Sequence, residues 1–483
     1  MISCDFSHKV VESFRNDWNP NFMSFITDIT RMWLTRSTKP FCFKNEYDEK
    51  LDYLQCENLG LYIHIPFCKK ICAFCPYCKT LYDPEICDAY VDGLIQEIRM
   101  VGEQWKMSGN EKADDAAYTS SGKERDGSAD CKRPRNGKGS FAACQKQKAS
   151  DRKQVTSLYF GGGTPALAAD RMKEIIDVVS EYFEITEGIG LELHPENVTV
   201  PVLEKLKEAG VTKISIGIQS FQKKYQDILG RTMVDVETMA ENLRQVPFET
   251  VSMDFIFALP GQTLEDLKSD IEMAFSHGAN HIAIYPFIDF TFTESKVKAM
   301  EKKAKRKLLD EITEYCHSKG YERNSIWTFS SEKNAGYSSM TRDNFLGFGC
   351  SATTLLKDQF KINTFSVEEY IKRIEEGKLP TSLTLRFTLR QRMIYYLFWI
   401  AYSTRVDSKD FEKFFGVPLK KMYGLEMKLS VLLGFAREKD GVYKMTPKGA
   451  FYYHYYENFY TLAYIDKMWG IMRKEAFPEG IEL

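Results

Sequence analysis

Along the middle of the chain, short runs of β-branched and aromatic residues alternate with longer segments whose apolar positions recur every three to four residues. The runs Leu61–Ile65, Ser157–Phe160, Ile189–Leu193, Lys213–Ile218, Val251–Phe257 and His281–Tyr285 predict six strands. Met172–Phe183, Val202–Ala209 and Leu264–Phe275 carry the helical period between them. After the first interval, strand starts fall roughly 25 to 40 residues apart, as βαβ units require. The pattern predicts an α/β core of parallel strands, a sheet or a partial barrel. In such folds ligands sit beyond the carboxyl ends of the strands, so chemistry is expected just after each run.

Other segments break this rhythm. Residues 108–152 are rich in Lys, Asp, Ser, Gly and Ala, and predict a flexible, solvated insertion that carries the basic cluster Lys132–Arg135. Beyond about residue 298 the pattern turns helical, with a strand-like stretch near Tyr337–Leu356. From about Leu383 a separate helical module is expected, with two short β runs around Asp440-Gly441 that give it a winged-helix-like order. Its tyrosines, Tyr452, Tyr453, Tyr455, Tyr456 and Tyr460, lack a concentrated basic face and read as packing positions, not a nucleic-acid platform. The expected division is a helical N-terminal cover (1–60), a core (61–382) and the C-terminal module (383–483), the two flanks closing over the core.

Composition narrows the class. The 483 residues carry 65 Lys+Arg against 67 Asp+Glu, so no charge excess points to nucleic acid or an anionic membrane. The longest apolar run, Met393–Tyr402, is far below the roughly 20 residues of a membrane span. With no secretory pattern at the start, a cytoplasmic setting is expected, and the 12 cysteines read as reduced thiols or metal ligands.

Four of those cysteines, Cys68, Cys72, Cys75 and Cys78, crowd into one loop directly after the first predicted strand. Cys68, Cys72 and Cys75 form C-x3-C-x2-C, and three thiolates on a tight loop suit three irons of a cubane, leaving one iron open to a small molecule. A four-Cys cluster is coordinatively closed, and structural zinc takes its ligands as two separated pairs. Cys78 could complete a closed site, although it stands very near Cys75.

Four ordered motifs then carry a resemblance. Tyr62–Cys68 leading into the cysteine loop, Tyr159-Phe160-Gly161-Gly162-Gly163-Thr164-Pro165, Ile214–Phe221 and Asp254–Thr263 resemble the oxygen-independent coproporphyrinogen III oxidase (dehydrogenase) family of radical S-adenosylmethionine (SAM) enzymes. The resemblance implies a partial (β/α)6 radical SAM barrel and a 4Fe-4S cluster on Cys68, Cys72 and Cys75. It further implies one or two SAM molecules, a tetrapyrrole substrate and a reducing partner such as flavodoxin or ferredoxin. By position, Tyr62, Phe74, Gly162, Glu192 and Thr353 resemble the family's contacts to cluster-bound SAM. Gly163, Thr164, Gln219, Arg231 and Asp254 match residues that line a second SAM. The resemblance names no further catalytic residue.

The chain also departs from the family. The dehydrogenase motif has an extra cysteine two positions after the third ligand; Tyr77 stands there, and Cys78 follows it. The family's haem chaperones carry a His-Asn pair and Tyr-Trp before a late Gly-x-Gly, and Gly336–Gly349 lacks that histidine. Three readings stay open: oxidative decarboxylation of a tetrapyrrole, a two-SAM radical methyltransferase or haem-degrading enzyme, and a haem-binding chaperone. For the last, His194 and His281 are the core histidines at strand ends, His194 reading foremost as an active-site or structural residue.

Overall fold

The computed structural model describes residues 20–120, 152–331 and 343–483. Six strands form where the β-branched runs lie: β1 (Leu59–Ile65), β2 (Leu158–Gly162), β3 (Ile189–Leu193), β4 (Lys213–Gln219), β5 (Thr250–Phe257) and β6 (His281–Pro286). They pair side by side in chain order, every pair parallel. A seventh strand, β7 (Asn344–Phe348), adds parallel to the free side of β1. Helices Ala169–Tyr182, Val200–Glu208 and Leu264–Ser276 return the chain between strands, each turning an apolar stripe inward. The core is therefore a barrel wall of parallel strands with its mouth at their carboxyl ends.

The wall is longer than the sequence pattern suggests. Beyond β7 the sheet continues antiparallel through β8 (Thr353–Leu355), β9 (Gln359–Asn363) and β10 (Thr381–Arg386), then the short strands Cys42–Lys44 and Gly480–Glu482. Residues 383–386 thus belong to the sheet, and the expected helical module begins only at the helix Leu389–Tyr402. Before residue 60 one described helix, Pro20–Thr35, is followed by a strand of this same sheet, so the segment is not wholly a helical cover. Tyr464 donates a hydrogen bond to Asp28 on that helix, which packs on the C-terminal helices.

The helix after the cysteine loop runs from Pro84 to Ser120, through the first part of the expected insertion. Glu111, Lys112, Ala113, Ala116 and Ala117 favour helix without giving it an apolar stripe, so periodicity stops before the helix does. Lys132–Arg135 and Tyr337–Arg342 lie outside the described residues. The C-terminal module pairs Arg405–Asp407 with a hairpin of Ala436–Lys439 and Val442–Met445, turned by Asp440 and Gly441 at positive φ. Among the described residues no helix is long and apolar enough to cross a membrane.

The end of β4 is pinned from below. Asp270, buried on the helix Leu264–Ser276, accepts the Ser220 hydroxyl at 2.7 Å and the Phe221 N–H at 2.9 Å. Asp270→Ala strands both donors and is expected to cost about 1–3 kcal/mol, read as a lower urea midpoint at unchanged slope. Burial also pushes this carboxyl up to about 6, above its ordinary value. The folded state then holds the proton more tightly than the unfolded one. Stability on this account falls as pH rises from the ordinary carboxylate range through about 6, and Asp270→Ala flattens that part of the profile.

Candidate active site at the barrel mouth

The cysteine loop leaves β1 through Pro66 and is closed at its base by parallel pairing of Phe67–Cys68 with Thr80–Leu81. The Thr80 N–H donates to Pro66 at 2.8 Å and the Tyr82 N–H to Cys68 at 2.9 Å. Phe74 anchors the tip by packing with Tyr225 and Leu229 on the helix Lys223–Leu229 and with Ile256, Leu259 and Phe287 around the ends of β5 and β6. Cys68, Cys72 and Cys75 are half-buried and unpaired by disulfides. Burial pushes the Cys68 thiol up to about 11, with the charge of Cys75 adding to it. Burial raises Cys72 too, against the opposing pull of Arg231. Arg231, itself depressed by burial, faces Cys72 and Cys75 and so brings a fixed cation to the thiols.

Inside the strands, burial breaks at single positions: Tyr62 in β1, Glu192 in β3 and Asp254 in β5 are the half-open residues of otherwise buried runs. Alternation turns these side chains into the lumen. Glu192 accepts from the Gly162 N–H at 3.2 Å and from the Tyr159 hydroxyl at 3.1 Å. Asp254 accepts the Ser215 hydroxyl at 2.8 Å and that of Ser252 at 3.2 Å. Desolvation, then the charge of Asp254, pushes Glu192 up to about 7, and desolvation pushes Asp254 up to about 6. Tyr62, stacked on Tyr159 at 6.4 Å, is raised well above its ordinary value by burial and by Glu192.

Gln219 ends β4 at φ +70, beside a bulge where Phe255 pairs with Gln219 after Asp254 has paired with Gly217. That left-handed backbone is unusual for a non-glycine residue and turns the strand end where the mouth begins. Gly163 follows β2 so closely under β1 that an added Cβ would stand 2.5 Å from the Phe67 carbonyl oxygen and 2.7 Å from that of Pro66. Thr164, next in sequence, reaches the Cys68 sulfur at 4.0 Å.

Cys68, Cys72, Cys75, Gly163, Thr164 and Arg231 therefore gather at one side of the mouth, and Tyr62, Gly162, Glu192 and Asp254 line the lumen below. Thr353 lies on β8, its backbone against Gly347, which pairs with Tyr62. His194 caps the turn after β3, accepts the Glu196 N–H at 3.3 Å, and is pushed down to about 4 by burial and Arg231. His281 opens β6 at the barrel's opposite end, fully buried with its Nδ1 2.9 Å from the Ser252 hydroxyl, and is no ligand for anything in the mouth.

Sequence reading missed an aromatic surface beside the loop. Trp469, on the helix Asp466–Met472, meets Tyr77 at 6.0 Å, Phe290 and Phe292 at 6.4 Å and Phe365 at 6.3 Å. Arg473 stacks over Phe292 at 4.8 Å, and Asp466 ties down Thr291 through its N–H and hydroxyl at 2.7 and 2.6 Å. Tyr77 is 55% exposed, so this surface opens to solvent next to Cys75. No periodicity joins Tyr77, Phe290 and Trp469, and no signal in the sequence could have found it.

The fold and this mouth are those of a radical SAM domain. The model of the radical SAM superfamily matches residues 145–274. The Heme chaperone HemW of Bacillus subtilis is 24% identical over 407 residues, 80% of this chain and 95% of that one. The oxygen-independent coproporphyrinogen III oxidase of Cereibacter sphaeroides is 25% identical over 67% of this chain and 68% of its own, and that of Escherichia coli 22% over 81% of each. The solved coproporphyrinogen III oxidase (HemN) of Escherichia coli, a radical SAM enzyme, shares the fold at TM-score 0.65 and 20% identity, over 86% of this chain and 94% of that one. The chain thus carries a radical SAM domain, whose cofactors are a 4Fe-4S cluster and SAM, and is similar to both groups.

The donor set fits these cofactors: three unpaired thiols on one loop, a cation beside them, and carboxylates below that can accept from an ammonium or a hydroxyl. Gly163→Ala forces Pro66 and Phe67, and with them Cys68, out of place. The reconstituted variant is expected to hold less than half the iron of the parent with an unchanged circular dichroism spectrum.

Proposed function

We propose that the chain oxidatively decarboxylates the propionate side chains of a reduced tetrapyrrole of the coproporphyrinogen type. The observation that carries this reading is the aromatic surface of Tyr77, Phe290, Phe292 and Trp469 with Arg473 at its rim. A broad ring system stacks on such faces, and a guanidinium is the natural partner of a propionate. The similarity to coproporphyrinogen III oxidases supports the same substrate class.

In this reading Cys68, Cys72 and Cys75 hold the cluster, and Phe74 fixes the loop tip. Once bound, the cluster and SAM supply a 5'-deoxyadenosyl radical by one-electron cleavage of the sulfonium bond. Tyr62, Gly162 and Glu192 hold the cluster-bound SAM, Glu192 accepting from its polar hydrogens; Thr353 borders this side. Gly163, Thr164, Gln219, Arg231 and Asp254 hold a second SAM, Arg231 taking its carboxylate through the planar fork. Trp469 and the segment after β6 exclude water from the mouth.

Anaerobic incubation of the reconstituted protein with SAM, a strong reductant and coproporphyrinogen III tests the reading, following 5'-deoxyadenosine and substrate mass together. Loss of carbon dioxide equivalents is expected. Formation of 5'-deoxyadenosine with intact porphyrinogen would move the substrate to a haem or a methyl acceptor. Absence of 5'-deoxyadenosine would favour a haem carrier, as the similarity to the heme chaperones allows.

Two further outcomes follow from Glu192. Its carboxylate is the form that accepts from SAM, and burial holds it near 7 in the ligand-free protein. SAM affinity should therefore rise with pH through about 7 and level off above 8. Glu192→Gln should weaken binding roughly tenfold at pH 8 and flatten the pH profile, both read by calorimetric titration.

A further inference from the structure

Beside the lumen, behind Tyr62, three donor side chains from distant parts of the chain meet in the core. His64 near the end of β1, Cys78 at the end of the cysteine loop and Cys350 in the turn after β7 each bring one ligand atom within 4.8 Å of the others. They are 3%, 8% and 0% exposed. Cys78 thus turns away from Cys68, Cys72 and Cys75, and its thiol donates to the Phe365 carbonyl at 3.2 Å. The Ser351 hydroxyl also hydrogen-bonds Cys78.

The surroundings hold these donors rigidly. The Tyr90 hydroxyl donates to the His64 carbonyl at 2.8 Å and accepts the Cys350 N–H at 2.9 Å, tying the two backbones together. Glu97 accepts the Gly349 N–H and the Tyr370 hydroxyl, both at 2.7 Å, and Asn363 bridges Glu97 to the Gly349 carbonyl. Gly349 takes φ +93, and an added Cβ would run into the Tyr90 hydroxyl and stand 2.6 Å from the His64 carbonyl oxygen. A buried cysteine packs as a small apolar residue and needs no such frame. A ligand set does, because outer hydrogen bonds orient the donors.

The imidazole is set for the same task. Its Nδ1 lies 3.0 Å from the Tyr62 hydroxyl, and its Nε2 lies 3.0 Å from the Cys78 carbonyl. With no cation present, Nε2–H donates to that carbonyl and Nδ1 accepts from Tyr62. Moving the ring hydrogen to Nδ1, where it donates to the Tyr62 oxygen, frees the Nε2 lone pair as a ligand.

We propose that His64, Cys78 and Cys350 form a second metal site, distinct from the Cys68, Cys72 and Cys75 thiols, that takes one zinc ion. Two thiolates and a neutral imidazole balance a divalent cation, so the occupied site carries no net charge into the core. Two thiol protons leave to solvent on binding. Tetrahedral zinc takes a fourth ligand, which the Ser351 hydroxyl or a water provides. Occupied, the site clamps the outgoing end of the cysteine loop to β1 and to the Gly349 turn.

Metal analysis of the reconstituted protein, supplied with zinc and then freed of loose metal, tests this directly. About one zinc per chain is expected beside the cluster iron, and Cys350→Ala should lose the zinc while keeping the iron. A second measurement avoids the cluster: the Cys68→Ala/Cys72→Ala/Cys75→Ala protein is titrated with Co(II) alone. One equivalent should bind with thiolate-to-cobalt charge-transfer absorption, be displaced by zinc, and vanish on adding Cys350→Ala, or Cys78→Ala should the Cys350 variant not fold. Absence of zinc and of the cobalt absorption, or their survival in the variants, would overturn the site. So would a Cys78–Cys350 disulfide in anaerobically purified protein, found by alkylation and mass, since it would make the pair a redox couple instead.

Discussion

Seven neighbouring strands can run parallel only while every backbone amide between them finds a partner, and that ladder is the constraint on which everything at the mouth depends. Parallel pairing sends all carboxyl ends to the same side, so the loops after β1, β2, β3 and β4 converge without any dedicated contact among them. The ladder also sets heights. Glu192 pairs with Ser215 and Ser215 with Ser252, while Asp254 pairs with Gly217, so two carboxylates and two hydroxyls share one stretch of the lumen. Where the ladder slips, between Asp254 and Phe255, Gln219 takes its left-handed turn.

Placing two carboxylates in that lumen has an electrostatic consequence. Each is raised towards neutrality by loss of water, and Asp254 raises Glu192 further. Their hydrogen bonds are too few to offset the desolvation: two donors to Glu192 and two serine hydroxyls to Asp254. A positively charged ligand would supply what the protein leaves out. Arg231 plays the opposite part at the rim, a half-buried cation facing the thiols of the cysteine loop and Glu196. The mouth is thus polarised along its depth, cationic at the thiols and acidic below.

Much of this was legible in the sequence because it is local. Six β-branched runs report six strands, since a strand buried on both faces must be apolar along its length. The cysteine loop reports itself by spacing alone. What escaped is what needs distant segments. The strands Cys42–Lys44 and Gly480–Glu482 are three residues each and pair with one another at the sheet edge, so neither holds enough pattern to be seen. The last turns of the helix up to Ser120 carry no apolar stripe in their sequence and read as loop. Cys78 looks like a spare member of the cysteine loop and Cys350 like a scattered cysteine until the pairing of β7 with β1 brings the Gly349 turn beside His64.

The closure of the mouth follows from the same long-range pairing. Gly480–Glu482 adds to the sheet edge, and the preceding helix Asp466–Met472 is thereby held near the barrel end. Asp466 then fixes Thr291, so Phe290 and Phe292 on either side of it are presented to Trp469 instead of to solvent. A π-helical turn at Thr461–Ile465 interrupts the regular helix just before this point and changes its phase. The aromatic surface is therefore built by the chain's last strand and by the loop after β6, while the thiols are built by its first barrel strand. The aromatic surface and the thiol loop sit on separate elements that meet at Tyr77, which packs on Trp469 and follows Cys75 by two residues, and at Pro76, whose carbonyl accepts from Arg473.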